Sequence, residues 1–288
     1  MKFLTCLAIC LISTITLTAS LQAQTPEEIQ AKWQANKELH EASAAYQKKN
    51  FAEAQAHSEK ALELDPENKD APYFVARTIH AQYKPGDVTP ENIAIALKAI
   101  TAYQGIVDRV PTDDEAYKAV AYLYTALKED DLFREWVLQR AGNAYVAEAK
   151  RAEAYVVLAA RDWDCSFKIT EANKVTTANG NKPQVSYRMP KARERFEQAR
   201  ECANRGLEMV ITAITLTPEN ETAWSYKTNI ILELAKLAEM SGDIQQKNEL
   251  HRQYEEALKE TTRLSNRPKE KPVTPPAQIK IDALPIKP

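Results

Sequence analysis

A short motif recurs along the chain and constrains its fold more than any other feature of the sequence. In each copy a proline ends an amphipathic stretch, an alanine follows five residues later, and an aromatic residue comes next or shortly after. Proline cannot continue a helix, and the polar residues behind it can cap the next helix. Each copy therefore predicts a turn that joins two helices. The copies lie at residues 65–71, 110–116 and 217–223, and residues 153–155 keep the end of the pattern without the proline.

The composition favours helices and excludes several classes of function. Only 6 of the 288 residues are glycine, which disfavours the glycine-rich loops that bind phosphates and dinucleotides. The formal net charge is −2, so the sequence lacks the basic excess expected of a nucleic-acid-binding protein. We expect no metal and no cofactor, because no catalytic motif is present and metal-ligand spacing is missing among His40, His57, His80 and His251.

The joints and the segments between them resemble the tetratricopeptide repeat (TPR). The best copy runs from about residue 38 to residue 66. Ala42 matches the small, close-packing position of the first helix, and Ala54 and Ala61 match the two small positions of the second. Phe51 matches the aromatic residue near the turn between the helices. Looser copies extend the resemblance over most of residues 30–265.

The resemblance implies an all-α fold, a TPR-like superhelix of about five stacked antiparallel helix pairs over residues 24–265. A polar insert at residues 170–190 interrupts the fourth pair, and its Asn-Gly-Asn sequence and two prolines predict an exposed loop or a short hairpin. After the best copy, the pairs are expected at residues 69–111, 114–142, about 149–217 and 221–264.

The two ends of the chain differ from the repeats. Residues 1–23 combine a basic start, an apolar stretch and small residues, and we interpret them as a signal peptide cleaved after Ala23. The alternative is an uncleaved membrane anchor. Residues 266–288 carry six prolines and an excess of basic residues, which predicts a disordered tail. The mature chain is therefore expected in the bacterial periplasm or outside the cell, with no membrane span.

The resemblance also implies a binding surface, a concave groove lined by the first helix of each pair. Cationic and tyrosine side chains there can bind the carboxylates and backbone of a protein or peptide partner. The alternative for each position is an ordinary solvated helix residue. The positions that match the groove are Tyr73, Arg77, His80, Lys118, Tyr122 and Asn229.

The cluster Asp162–Cys165 suggests a different class of function. Two acidic residues flank Trp163 beside a thiol, so Cys165 can be read as the nucleophile of a helical enzyme, or the cluster as part of a non-catalytic subunit of an envelope enzyme. The competing interpretation is structural, because Cys165 and Cys202 are the two cysteines of the mature chain and an oxidising compartment allows them to pair. We predict the disulfide, and a binding protein rather than an enzyme.

Overall fold

The computed structural model describes residues 25–179 and 182–268. The predicted signal peptide and nearly all of the predicted tail lie outside these residues, so both stay predictions. The described part contains ten helices, which pack in adjacent pairs, and one β-hairpin. The helices are α1 (Pro26–Gln47), α2 (Phe51–Leu64), α3 (Ala71–His80), α4 (Pro90–Arg109), α5 (Asp114–Leu127), α6 (Asp130–Gly142), α7 (Glu148–Ala172), α8 (Arg193–Leu216), α9 (Glu221–Ser241) and α10 (Ile244–Ser265).

The predicted all-α class and the five helix pairs are confirmed, and the joints form as their sequences predict. Thr25 caps α1, accepting from the backbone of Glu28 while the Glu28 carboxylate accepts from Thr25. Asp113 caps α5 and Asn220 caps α9, each through its side-chain oxygen. Among the described helices, none combines the length and apolar character that a membrane crossing requires.

The described residues divide into two compact units, with the boundary between residues 102 and 103 inside α4. In the N-terminal unit α1, α2 and α3 pack together through small residues. Ala42, Ala54 and Ala61 are completely buried, which confirms them as the close-packing positions of the repeat. The rings of Tyr46 and Phe51 meet at the turn between α1 and α2, with 5.2 Å between their centroids.

In the C-terminal unit successive pairs stack on one another. Helix α6 packs against α7, and both helices of the α7/α8 pair pack against α9, which in turn pairs with α10. Gly206 of α8 permits a close approach to α7, because a Cβ atom there would lie 3.1 Å from the Cβ of Asp162. The buried core between these helices includes Val156, Phe196, Val210, Ile230 and Leu237.

The polar insert forms the short hairpin that was one of its two predicted conformations. Strand β1 (Lys174–Asn179) pairs antiparallel with β2 (Lys182–Tyr187), and Lys174 lies opposite Tyr187. The predicted start of the insert at residue 170 is too early, because α7 continues to Ala172. The Thr170 hydroxyl donates a 2.5 Å hydrogen bond to the buried carboxylate of Glu233, so the last turn of α7 is held against α9.

Candidate functional site

The three candidates of the N-terminal unit lie at i, i+4 and i+7 on one side of α3, the first helix of its pair. Arg77 is exposed, and its guanidinium carbon lies 4.9 Å from the ring centroid of Tyr46 on α1. This cation–π contact joins neighbouring first helices. Tyr73 and His80 are half-buried. Burial lowers the pKa of His80, which favours its neutral imidazole.

The candidates of the C-terminal unit fall into two groups. Lys118 and Tyr122 lie one turn apart on α5, where Lys118 is exposed and Tyr122 is 49% exposed. Asn229 is half-buried on α9. Helix α7 lies between α5 and α9: its Arg161 bonds to Thr125 of α5, and its Trp163 packs against Tyr226 of α9. The structure therefore brings Lys118 and Tyr122 together and places Asn229 two first helices away.

Two contacts fix how α5 and α7 lie beside each other. Lys150 Nζ is 3.5 Å from a carboxylate oxygen of Asp114, and Arg161 Nη2 donates a 2.8 Å hydrogen bond to Thr125 Oγ1. Both contacts join residues 36 positions apart, so the two helices run in the same direction with a constant offset. Val157, which is 41% exposed on α7, is therefore level with residues 121–122 of α5. We call this strip, formed by Lys118, Tyr122 and Val157, the α5–α7 seam.

The sequence interpretation missed Val157. It lies seven residues after Lys150 and four before Arg161, so the three side chains share one stripe of α7. An exposed valine in such a stripe is a weak signal by itself, because single apolar residues are common on protein surfaces. The seam is defined by the offset between α5 and α7, which is a property of the tertiary structure.

The predicted disulfide is present. Cys165 of α7 and Cys202 of α8 are joined, with their Cα atoms 6.1 Å apart. Asp162 is almost fully buried next to this bond and accepts hydrogen bonds of 3.1 Å from Arg134 and 3.2 Å from Arg205. Arg205 also lies 3.3 Å from Cys202 Sγ. In this state Cys165 carries no thiol, and the carboxylate of Asp162 is held by two guanidinium groups.

The rest of the Asp162–Cys165 cluster is also engaged. Asp164 forms a 2.6 Å ion pair with Lys168 one turn along α7, and Trp163 stacks on Phe167 with 5.0 Å between ring centroids. A cleft of about 540 Å³ opens beside Cys165, and its lining mixes acidic residues of α6 and α7 with basic residues of α6, α7 and α8. Each residue of the cluster is thus bonded to or packed against a neighbour on α6, α7 or α8.

A second polar network connects α7, α9 and the hairpin. Lys236 Nζ donates hydrogen bonds of 2.7 Å to Glu233 and 3.1 Å to Glu171. Its ammonium group also lies 4.9 Å from the ring centroid of Tyr187, whose backbone N–H donates to Glu239 on α9. Burial disfavours the charged form of Lys236, but the bonds to the two carboxylates outweigh it and raise its pKa. The network fixes the base of the hairpin.

Residues that could ligate a metal do not assemble in the described part of the chain, where no three histidine, cysteine or acidic side chains come close enough to hold an ion. His57 instead lies 2.6 Å from a carboxylate oxygen of Glu38, across the α1/α2 pair.

The chain matches no protein-family model and no curated protein. Among solved structures, a crystal structure of MamA protein is 14% identical over 81% of this chain and 94% of that one, with a TM-score of 0.39. A tetratricopeptide repeat protein from Parabacteroides merdae ATCC 43184 is 13% identical over 81% of this chain and 90% of that one, with a TM-score of 0.34. PilF from Pseudomonas aeruginosa is 12% identical over 83% of this chain and 98% of that one, with a TM-score of 0.31.

These TM-scores are too low to add detail to the arrangement of the pairs. The repeat character rests on the chain itself: proline-containing joints, paired helices and completely buried alanines at the close-packing positions. Together they define a TPR-like helical-repeat protein.

Proposed function

We propose that the protein is an exported interaction scaffold, which binds a protein or peptide along the first helices of its repeat pairs and does not act as an enzyme. The observation that carries the proposal is the α5–α7 seam, where a lysine, a half-exposed tyrosine and an exposed valine lie on adjacent first helices. Exposed tyrosines are enriched in protein-binding surfaces, and Lys118 beside Tyr122 can pair with a carboxylate of the partner.

Export is supported by the disulfide, because such bonds persist mainly in oxidising compartments. The signal-peptide interpretation of residues 1–23 supports the same location, the periplasm or the cell exterior. N-terminal sequencing of the protein isolated from its native cells tests this, and a mature chain that begins near Gln24 is expected. A chain that begins at Met1 would contradict it.

The alternative is a helical enzyme, or a non-catalytic subunit of an envelope enzyme, with its site near Asp162–Cys165. The contacts of this cluster favour a structural role, because Asp162 and Asp164 are ion-paired and Cys165 is bonded to Cys202. A nucleophilic cysteine needs a thiolate, which the disulfide removes.

Site-specific photo-crosslinking tests the binding proposal. The photoreactive amino acid p-benzoylphenylalanine replaces Tyr122 or Val157 in the seam, and Leu138 of α6 or Ile211 of α8 as matched controls that are exposed on second helices. Irradiation of living cells should give discrete adducts from the two seam positions and none from the controls. Adding Lys118→Glu to the Tyr122 probe should abolish its adduct.

The partner identified from the adduct is then purified and its affinity measured by calorimetry. Because truncating a well-placed interface aromatic residue often costs 2 kcal/mol or more, Tyr122→Ala should weaken binding at least about tenfold. Equal adducts from seam and control positions, or unchanged affinity of the Tyr122→Ala variant, would refute the seam as the binding surface.

A further inference from the structure

The α5–α7 seam lies level with the start of α9. Trp163 of α7 packs on Tyr226 of α9, with 6.0 Å between their ring centroids. Further along the same two helices, Thr170 bonds to Glu233. Both contacts join residues 63 positions apart, so α7 and α9 run in the same direction with a constant offset. With this offset, Val157 of the seam is level with the N-cap residue of α9.

The chain leaves α10 at this same level. Helices α9 and α10 pack against each other, and the hydroxyl groups of Thr228 and Thr261 are 2.9 Å apart. Just beyond the end of α10, Arg267 donates a 2.6 Å hydrogen bond to the carboxylate of Glu219, which directly precedes the N-cap of α9. The chain that continues from Pro268 therefore departs beside the beginning of α9, with only α9 between it and α7.

This point of departure brings the seam within reach of the C-terminal residues. The axes of packed helices are about 8–10 Å apart, so the path from α10 across α9 to the seam is about 20–30 Å long. The eleven residues that follow Pro268 can span about 34 Å in the polyproline conformation, at about 3.1 Å per residue. Three prolines at residues 272–276 favour that conformation. Ile279 and the residues after it can therefore reach the seam.

Residues 277–284 differ from the rest of the C-terminal sequence, and we call them the tail segment. They contain no proline, although six prolines occur among residues 266–288. Isoleucines at positions 279 and 281 alternate with Lys280 and Asp282. This alternation is typical of an extended segment that has one apolar side and one charged side.

The seam offers groups that match both sides of this segment. Tyr122 is 49% exposed and Val157 is 41% exposed, so they form an apolar strip that two isoleucines can cover. Lys118 is the exposed cation of the seam, and Asp282 is the last acidic residue of the sequence. The Asp282 carboxylate lies on the charged side of the segment, where the long side chain of Lys118 can reach it.

We propose that, until a partner binds, the tail segment occupies the α5–α7 seam of its own chain, with its isoleucines on Tyr122 and Val157 and the Asp282 carboxylate beside Lys118. This inference rests on the proposed function, because it takes the seam to be a binding surface. A short tether gives an effective concentration of about 1 mM, so a segment with a dissociation constant of about 0.1–1 mM occupies the seam for about half to nine-tenths of the time. A partner has to displace it, which lowers the apparent affinity of the partner about two- to tenfold.

Photo-crosslinking within the purified full mature chain, with no partner present, tests the position of the tail segment. p-Benzoylphenylalanine replaces Val157, or Leu138 or Ile211 as the controls exposed on second helices. Only the Val157 probe should give a cross-link to residues 277–284, located by mass spectrometry, and its yield should not depend on protein concentration. Absence of this cross-link would overturn the proposal. A cross-link that joins two chains and rises with concentration would also overturn it, in favour of a second copy.

Variants of the full chain identify the contacts. Ile279→Ser together with Ile281→Ser should lower the yield at least about fivefold, because the apolar side is lost. Val273→Ser, an apolar position before the tail segment, is the matched control and should leave the yield unchanged. Equal yields from these two variants would contradict the proposed register.

Charge reversal tests the ion pair separately. Asp282→Lys should lower the cross-link yield by up to about threefold, and adding Lys118→Glu should restore it. A reduced yield that the second reversal does not restore would overturn the contact between these two side chains.

The Val157 probe in living cells separates this inference from the proposed function. Partner adducts in cells without the cross-link in the purified chain would refute the tail contact and leave the proposed function standing. The reverse result would support the tail contact and refute a partner at the seam. Once a partner is known, the double isoleucine variant should bind it about two- to tenfold more tightly, and Val273→Ser should bind it as the unchanged protein does. Equal affinity of all three proteins would contradict the competition.

Discussion

Breaking the disulfide should measurably destabilise the fold without removing it. The bond joins residues 37 positions apart, and closing a loop of that length removes about 4 kcal/mol of unfolded-chain entropy in the chain-entropy treatment. Cys202 is buried in the α7/α8 pair, so alanine is the suitable replacement there, while Cys165 is half-buried and tolerates serine. The rest of the α7/α8 packing is unchanged, because Phe196, Ala199 and Ala203 remain in the core.

Urea unfolding of three samples measures this effect: the oxidised protein, the same protein in dithiothreitol, and the double variant Cys165→Ser/Cys202→Ala. The reduced protein and the double variant should have similar free energies of unfolding, both about 4 kcal/mol below the oxidised protein. Equal stability of all three, or two titratable thiols in the unfolded, non-reduced protein, would refute the reasoning. The double variant should also keep the partner affinity, whereas loss of a measurable turnover with an intact fold would favour the enzyme alternative.

Three further predictions concern stability. The side chain of Lys236 is 10% exposed, and Glu233→Gln leaves its ammonium group with Glu171 as the remaining carboxylate partner. This substitution should lower the free energy of unfolding in urea by about 2–3 kcal/mol, and Glu171→Gln should lower it by about 1 kcal/mol. Burial alone would raise the pKa of Glu171, but its hydrogen bonds, of which the one from Lys236 is the strongest, outweigh burial and lower the pKa. The stabilisation that Glu171 contributes should therefore be present above pH 4.5 and lost as the pH falls below that value. The raised pKa of Lys236 means that its contribution is lost only as the pH rises above 10.5. A melting temperature that peaks near pH 4 would contradict the assignment for Glu171, and a loss that depends on Lys236 well below pH 10.5 would contradict that for Lys236. Gly206→Ala should destabilise the fold by about 1–2 kcal/mol, because the new Cβ atom would press against α7. Gly105→Ala should stabilise it by up to about 1 kcal/mol, because a Cβ atom there would meet no neighbouring atom within 4 Å. The opposite order in thermal unfolding would refute the packing argument.

Local sequence signals were sufficient for most of the helix pairs. A proline followed five residues later by a buried alanine defines both the end of one helix and the packed face of the next, as at Pro66 and Ala71. The end of α7 could not be predicted in this way. It depends on the hydrogen bond between Thr170 and Glu233, which are 63 positions apart in the sequence. The sequence likewise left the insert as a loop or a hairpin, since a polar segment with two prolines is compatible with both.

The candidate binding residues were predicted less completely, for a related reason. Matching to the repeat identified Lys118 and Tyr122, because their position within one helix is a local property. It missed Val157, because the position of this residue beside α5 depends on the offset between neighbouring helices. The ion pair between Arg140 of α6 and Asp114 of α5 likewise spans 26 positions and has no periodic signature. Residues that act through contacts between helices therefore require the structure.

The polar side chains of the C-terminal unit fall into two kinds, and the difference has a functional consequence. Asp162 and Lys236 each bond to two oppositely charged side chains; Asp162 lies beside the disulfide in the middle of α7, and Lys236 lies at the base of the hairpin. Their contacts hold α7 against α8 and α9, so substitutions there should act mainly on stability. The α5–α7 seam exposes its side chains to solvent, where substitutions typically change stability by less than about 0.5 kcal/mol. Variation at the seam can therefore change which partner is bound while the repeat core and its stabilising network stay the same.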